Sequence, residues 1–96
     1  MRIDVTLIAG ARPDLLRSML TSFVWALNGK AEVASVWANI DPFLGSKQDQ
    51  AFCREMILQR FPRANVFQPM TANFGAAVKK LWMLCGEYPT LHVEDD

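Results

Sequence analysis

Apolar positions along the chain follow two different spacings. Four short runs rich in branched or apolar residues are typical of β-strands, and they cover residues 3–9, 33–38, 64–68 and 90–94. Three longer stretches carry apolar residues at helical spacing, and they cover residues 13–27, 47–60 and about 74–85. The pattern predicts strands and helices in strict alternation, beginning and ending with a strand.

Polar and special residues mark the ends of the predicted helices. Pro13 and Asp14 suit the first turn of a helix, and Asn28 with Gly29 suits its end. Ser46, with an acid three positions later, predicts a capping box before the second helix. The side chains predicted to face inward from that helix are Phe52, Cys53, Met56 and Ile57.

Strict alternation implies parallel strands joined by right-handed helical crossovers. We therefore predict one Rossmann-like three-layer α/β/α domain over residues 1–96, with strand order 3-2-1-4. Ligands of such sheets bind outside the carboxyl ends of the strands, where the strand order reverses, which here is between strands 1 and 4. Three segments should meet there, namely 10–14, 39–42 and 94–96, with 70–75 entering from the side of strand 3.

Composition excludes several classes of protein. The chain has 10 basic and 10 acidic residues, a balance that argues against a nucleic-acid-binding protein. No apolar run approaches the roughly 18 residues of a membrane span, and the first residues do not resemble a secretory signal. We expect a cytoplasmic protein without a membrane span. Cys53 and Cys85 are expected to be buried thiols, since neither lies at metal-ligand spacing from another Cys or His.

The acidic run 94–96 is the sharpest chemical feature. Glu94, Asp95 and Asp96 directly follow the fourth predicted strand. Oxygen ligands at this density suit a hard divalent cation that also contacts a diphosphate. The alternatives are a solvated strand end and a phosphoacceptor domain, although the latter carries its acidic pair after strand 1, where this chain has Ala9 and Gly10.

Four further features lie near the same predicted edge, and each has a structural alternative. Asp41 could accept hydrogen bonds from a sugar or a base, or it could form a turn before Pro42. Arg12 could bind an anion beside a helix start, and Lys79 could reach a phosphate, although both could be exposed surface charges. The small residues of segment 73–77 would let a ligand approach the backbone, or would serve helix capping and packing.

Taken in order, these features resemble the GT-A glycosyltransferases of the family-2 type over essentially the whole chain. Residues 5–16 are similar to the family's opening strand and its RPxLL helix start. Residues 73–77 resemble its N-x-G-x-A segment, and residues 86–96 resemble its GEYxLxLEDD ending, a version of the DxD motif. Here the first acid of that motif is Glu94, where Asp is commoner in the family.

The resemblance implies a nucleotide-diphosphate sugar as ligand and Mn²⁺ or Mg²⁺ as cofactor. It implies that Asp96 binds the metal with help from Glu94. Together with the positions of the charged residues, it predicts a nucleotide-sugar site formed by Ala9, Arg12, Asp41, Asn73, Gly75, Lys79 and Asp95. The family's acceptor-binding part and catalytic base lie beyond its acidic motif, so we expect a truncated GT-A fold whose activity is uncertain.

Two expectations concern partners. A sheet that stops at strand 4 would leave an unpaired edge, so we expect a homodimer that covers it. The alternative to a transferase is a non-catalytic α/β module that binds nucleotides or associates with other proteins.

Overall fold

The structure is a computed structural model, and the residues that it describes are 2–42, 45–71, 74–84 and 88–94, without the side chain of Phe74. Seven elements follow one another as β1 (Arg2–Gly10), α1 (Pro13–Leu27), β2 (Glu32–Asp41), α2 (Lys47–Arg60), β3 (Asn65–Phe67), α3 (Phe74–Leu84) and β4 (Thr90–Glu94). The strands form one parallel sheet in the order β3-β2-β1-β4. The predicted α/β fold and its strand order are confirmed.

The largest difference from the predicted bounds lies at the end of β2. This strand was expected to end at residue 38, but it continues to Asp41 because Asn39, Ile40 and Asp41 pair with the last three residues of β1. The outer strand next to β2 is β3, which contains three residues, Asn65–Phe67, instead of the five predicted. The extension of β2 makes Asp41 the last residue of a strand instead of a residue of the following loop.

The start of α2 agrees closely with the sequence. The Ser46 hydroxyl accepts a hydrogen bond from the backbone N–H of Asp49 at 3.1 Å, and the Asp49 carboxylate accepts one from the backbone N–H of Ser46 at 3.0 Å. This is the predicted capping box. The prediction that Phe52 faces inward is wrong, since the residue is 50% exposed. The buried stripe runs through Gln50, Cys53 and Ile57, and Phe52 lies about 100° around the helix from Cys53.

Successive residues of β1 project to opposite faces of the sheet, and the two faces differ in composition. On one face Leu7 and Ala9 pack with residues of α1 and α2, including Leu16 and Ile57, in the largest buried apolar cluster. On the other face Ile8 packs against Ala77 and Leu81 of α3. That second face also carries most of the buried polar side chains, which are Asp4, Thr6, Asn39 and Asp41. The polar face of the sheet is therefore the one beneath α3.

Polar side chains at the amino end of this face serve to join strands. Asp4 of β1 accepts hydrogen bonds from the hydroxyl of Ser35 at 2.6 Å and from the backbone N–H of Tyr88 at 3.4 Å. Ser35 in turn accepts a hydrogen bond from the indole of Trp37 at 2.9 Å. The polar side chains at the carboxyl end of the face form different hydrogen bonds.

Candidate functional site

Near the carboxyl ends of the strands, one acidic residue lies on each side of β1, one on β2 and the other on β4. Gly10 at the end of β1 pairs with Asp41 of β2, and Ile8 pairs with Glu94 of β4. Since neighbouring strands lie about 4.8 Å apart, Asp41 and Glu94 are separated by roughly 10 Å across the sheet. Along the strand direction, Glu94 lies two residues, or about 7 Å, further than Asp41 from the carboxyl edge of the sheet. The two acids therefore stand where the opposite ends of one extended ligand could meet them.

Each of these carboxylates is held by the side chain two residues earlier on its own strand. The Asn39 amide donates a hydrogen bond to Asp41 Oδ1 at 2.7 Å. His92 Nε2 lies 3.0 Å from Glu94 Oε1. Residues two apart in a strand point to the same face, so both bonds lie on the polar face beneath α3. Asp41 is only 7% exposed, and its carboxylate direction is therefore fixed by the fold.

Arg12 lies in the turn between β1 and α1, as the sequence predicted. Its backbone N–H donates to the carbonyl of Gly10 at 2.9 Å, and its carbonyl accepts from the N–H of Leu16 at 3.0 Å. The side chain does not cap the helix, and its Nε is shielded from solvent. Arg12 is thus a partly buried residue of the edge and not a fully exposed loop charge.

The loop after β2 packs tightly against this first turn. A β-carbon added to Gly45 would clash with the Ala11 carbonyl oxygen and would stand 2.7 Å from the Ala11 β-carbon. Only a residue without a side chain fits at that distance. Gly45 is therefore fixed against the turn that follows β1.

A buried glutamine joins β2 to the segment that leads into α3. Gln50 of α2 donates one amide hydrogen bond to the carbonyl of Ile40 at 2.6 Å and another to the carbonyl of Pro69 at 3.0 Å. Ile40 directly precedes Asp41, and Pro69 follows β3. Gln50 therefore fixes the position of Asp41 relative to the segment after β3.

Two of the predicted ligand residues lie on one flank of α3. Gly75 and Lys79 line an open groove of about 480 Å³ together with Val78, Trp82 and Met83. The ring of Trp82 meets the ring of His92 edge-on, with centroids 6.1 Å apart. The groove therefore runs along the side of α3 that faces β4, which is also the side where the strand order reverses.

The remaining predicted site residues divide into two groups. Ala9 is 1% exposed, and its methyl group packs in the apolar cluster with α1 and α2, away from the polar face. Asn73, Asp95 and Asp96 lie outside the described residues.

Of the two cysteines, Cys85 also lies outside the described residues. Cys53 is buried as expected, with its Sγ 3.9 Å from the Gly10 carbonyl oxygen.

Within residues 2–42, 45–71, 74–84 and 88–94, no three His, Cys, Asp or Glu side chains form a group that could hold a metal ion. The acids at the carboxyl edge, Asp41 and Glu94, nevertheless offer carboxylate oxygens, which are the donors that Mg²⁺ and Mn²⁺ favour. Both carboxylates are also hydrogen-bonded by a neighbouring side chain, as ligating carboxylates usually are. The donor chemistry at Glu94 fits such a cation.

Sequence reasoning missed the polar residues that hold these acids. Asn39 and His92 precede the acids by two positions, which in a strand means the same face. Gln50 lies at helical spacing from Cys53 and Ile57. A polar residue in line with apolar ones could have indicated a buried side chain that makes hydrogen bonds. Thr6, which is fully buried, is a polar residue between the apolar residues Val5 and Leu7 of β1.

Comparisons with protein-family models, with curated proteins and with solved structures found no match for this chain. None of the helices among the described residues is long and apolar enough to cross a lipid bilayer.

Proposed function

We propose that this chain is the nucleotide-sugar-binding part of a GT-A-type glycosyltransferase. The observation that carries the proposal is the register that sets Asp41 and Glu94 on either side of the end of β1, both with carboxylates fixed on the polar face. This is also the point where the strand order reverses, and parallel sheets bind nucleotides at such points. The conclusion rests on this geometry together with the sequence resemblance.

In this proposal the ligand extends across the end of β1. Asp41 would accept a hydrogen bond from the base or from a sugar hydroxyl, since a fixed and largely buried carboxylate prefers N–H and O–H donors. Arg12 and Lys79 would lie beside the phosphates as positive charges, and Gly75 would let the ligand approach the α3 backbone closely. Asn73 and Asp95 are proposed to complete the nucleoside contacts, and Ala9 would contribute its backbone alone.

Glu94 and Asp96 are proposed to hold Mn²⁺ or Mg²⁺. When bound, such an ion offsets negative charge on the departing diphosphate. The parent reaction is transfer of the sugar to an acceptor hydroxyl. No described residue is assigned as general base, so donor binding is the property by which the proposal should be judged.

Calorimetry tests this proposal directly. We expect heat of binding when UDP, GDP or their sugars are titrated into the protein with Mn²⁺, and weaker binding by Asp41→Ala. Glu32→Gln is the matched control, because Glu32 begins β2 at the opposite end of the strands and makes an exposed ion pair with Arg2 at 3.8 Å. The absence of binding by the unaltered protein to every nucleotide would overturn the proposal.

A second candidate function is protein association, including a homodimer. In the part of the chain that the structure describes, β4 is an outer strand of the sheet. Leu91 of this strand is 40% exposed, and on α3 Trp82 and Met83 are 58% and 77% exposed. Unpaired strand edges flanked by apolar side chains favour pairing with another chain.

We expect light scattering after size-exclusion chromatography to give the mass of a dimer, and Leu91→Lys to shift it toward the monomer. A monomer at high concentration would contradict the homodimer. The expected cytoplasmic location stays a prediction.

A further inference from the structure

Three polar side chains form a continuous line from the centre of the sheet to its carboxyl edge. Thr6 of β1 pairs in register with His92 of β4. The Thr6 hydroxyl oxygen lies 2.8 Å from His92 Nδ1, and His92 Nε2 lies 3.0 Å from Glu94 Oε1. Thr6 is fully buried, so the line begins in the interior and ends at the acid of the proposed site.

The chemistry of these groups fixes which nitrogen of the ring carries hydrogen. An ionised carboxylate only accepts hydrogen bonds, so His92 Nε2 must donate to Glu94. In a neutral ring Nδ1 then accepts a hydrogen bond, and the buried Thr6 hydroxyl supplies it. The indole of Trp82 packs against the imidazole in a T-shaped contact, with the two ring planes at 83°. The ring is therefore restrained in both orientation and tautomer.

We propose that His92, fixed by Thr6, is a positioning residue that sets the direction of the Glu94 carboxylate. A carboxylate has two oxygens, and the bond to His92 uses one of them, so the other remains available to a ligand at the carboxyl edge. Asn39 acts on Asp41 in the same way on the far side of β1. The role of Glu94 in holding a cation rests on the proposed function, whereas the restraint on its carboxylate does not.

The first test is spectroscopic and needs no ligand. His92 is the single histidine of the chain, so long-range ¹H–¹⁵N NMR reports its ring without ambiguity. We expect hydrogen on Nε2 in the unaltered protein. We expect Thr6→Val, which removes the hydroxyl but keeps the branched shape, to leave hydrogen on Nε2 and to shift the Nδ1 signal, because that nitrogen loses its hydrogen bond. We expect Thr6→Ser to preserve the original signals. A neutral ring with hydrogen on Nδ1 in the unaltered protein would overturn the proposal, even if Thr6→Val did not fold.

The second test uses Mn²⁺ alone as the probe, followed by calorimetry or by electron paramagnetic resonance. Loss of a side chain that orients a metal ligand typically weakens metal binding by about 10- to 100-fold. Thr6 acts on Glu94 only through His92, so we expect a loss at the lower end of this range, about 10-fold, in Thr6→Val. Thr6→Ser should bind within about twofold of the unaltered protein. Equal affinity in all three proteins would refute positioning of a metal ligand.

The two tests separate the two proposals. If the unaltered protein binds no Mn²⁺, the metal site of the proposed function fails, and the NMR result still decides whether His92 holds Glu94. If Mn²⁺ binds and the tautomer is the wrong one, the positioning proposal fails and the proposed function stands.

Discussion

Replacing Gln50 by methionine should destabilise the protein, because it removes both donors that join β2 to the segment after β3. Methionine has nearly the same length and fills the same space, but it donates no hydrogen bond. The carbonyl of Ile40 is buried and would lose its 2.6 Å bond, whereas the carbonyl of Pro69 is partly buried and would lose its 3.0 Å bond. An unsatisfied buried carbonyl costs about 1–3 kcal/mol, and one that water can reach costs less. We expect a total loss of about 2–3 kcal/mol.

Urea denaturation followed by circular dichroism measures this loss. With a slope of about 1 kcal/mol per M for a small protein, the unfolding midpoint should fall by about 2–3 M. Gln48→Met is the matched control, since Gln48 is an exposed residue of the same helix, and its midpoint should hardly move. Equal midpoints for Gln48→Met and Gln50→Met would refute the reasoning, because Gln50 would then not join the two segments.

Three further changes test the packing around the site, each measured by thermal or urea unfolding. Gly45→Ala forces a methyl group onto the Ala11 carbonyl and should cost about 1–3 kcal/mol; an unchanged melting temperature would show that the two loops are not in contact. Ser46→Ala removes the α2 cap and should cost about 1 kcal/mol, whereas no loss would mean that the capping box adds nothing. Leu81→Ala empties a fully buried site beneath α3 and should cost about 2–5 kcal/mol. Leu84→Ala, which alters an exposed residue of the same helix, should cost far less. A larger loss of stability in Leu84→Ala than in Leu81→Ala would contradict the position of α3 on the sheet.

Helix-capping residues and the alternation of strand and helix patterns along the sequence predicted most of the fold. The alternation of strand and helix patterns gave the strand order, since parallel strands with right-handed crossovers leave few topologies. Ser46 and Asp49 gave the start of α2, and its predicted span of 47–60 agrees with the structure. Such features are encoded by residues close together in the sequence, so they can be read without knowing the tertiary contacts.

The finer geometry of the edge depends on contacts between distant residues and was not predicted. The last residues of β2 belong to the strand because they pair with the end of β1, and their own sequence gives little sign of this. The bond between Thr6 and His92 joins positions 86 residues apart and depends on the register of β1 with β4. Register is set by the whole packed sheet, so no local pattern reveals it. Asp41 and Glu94 lie near the carboxyl ends of β2 and β4, but the side chains that orient them were not predicted.

Mn²⁺-induced broadening of the backbone amide signals in NMR spectra tests the central claim most directly. The claim is that a cation and a diphosphate bind where β1, β2 and β4 end. Paramagnetic broadening falls steeply with distance, and the two ends of β1 lie roughly 26 Å apart at about 3.3 Å per residue. With Mn²⁺ and UDP or GDP, the signals of Gly10, Asp41 and Glu94 should broaden while those of Arg2 and Glu32 stay sharp. Broadening centred on Arg2 and Glu32, or uniform sharpness throughout, would contradict the account.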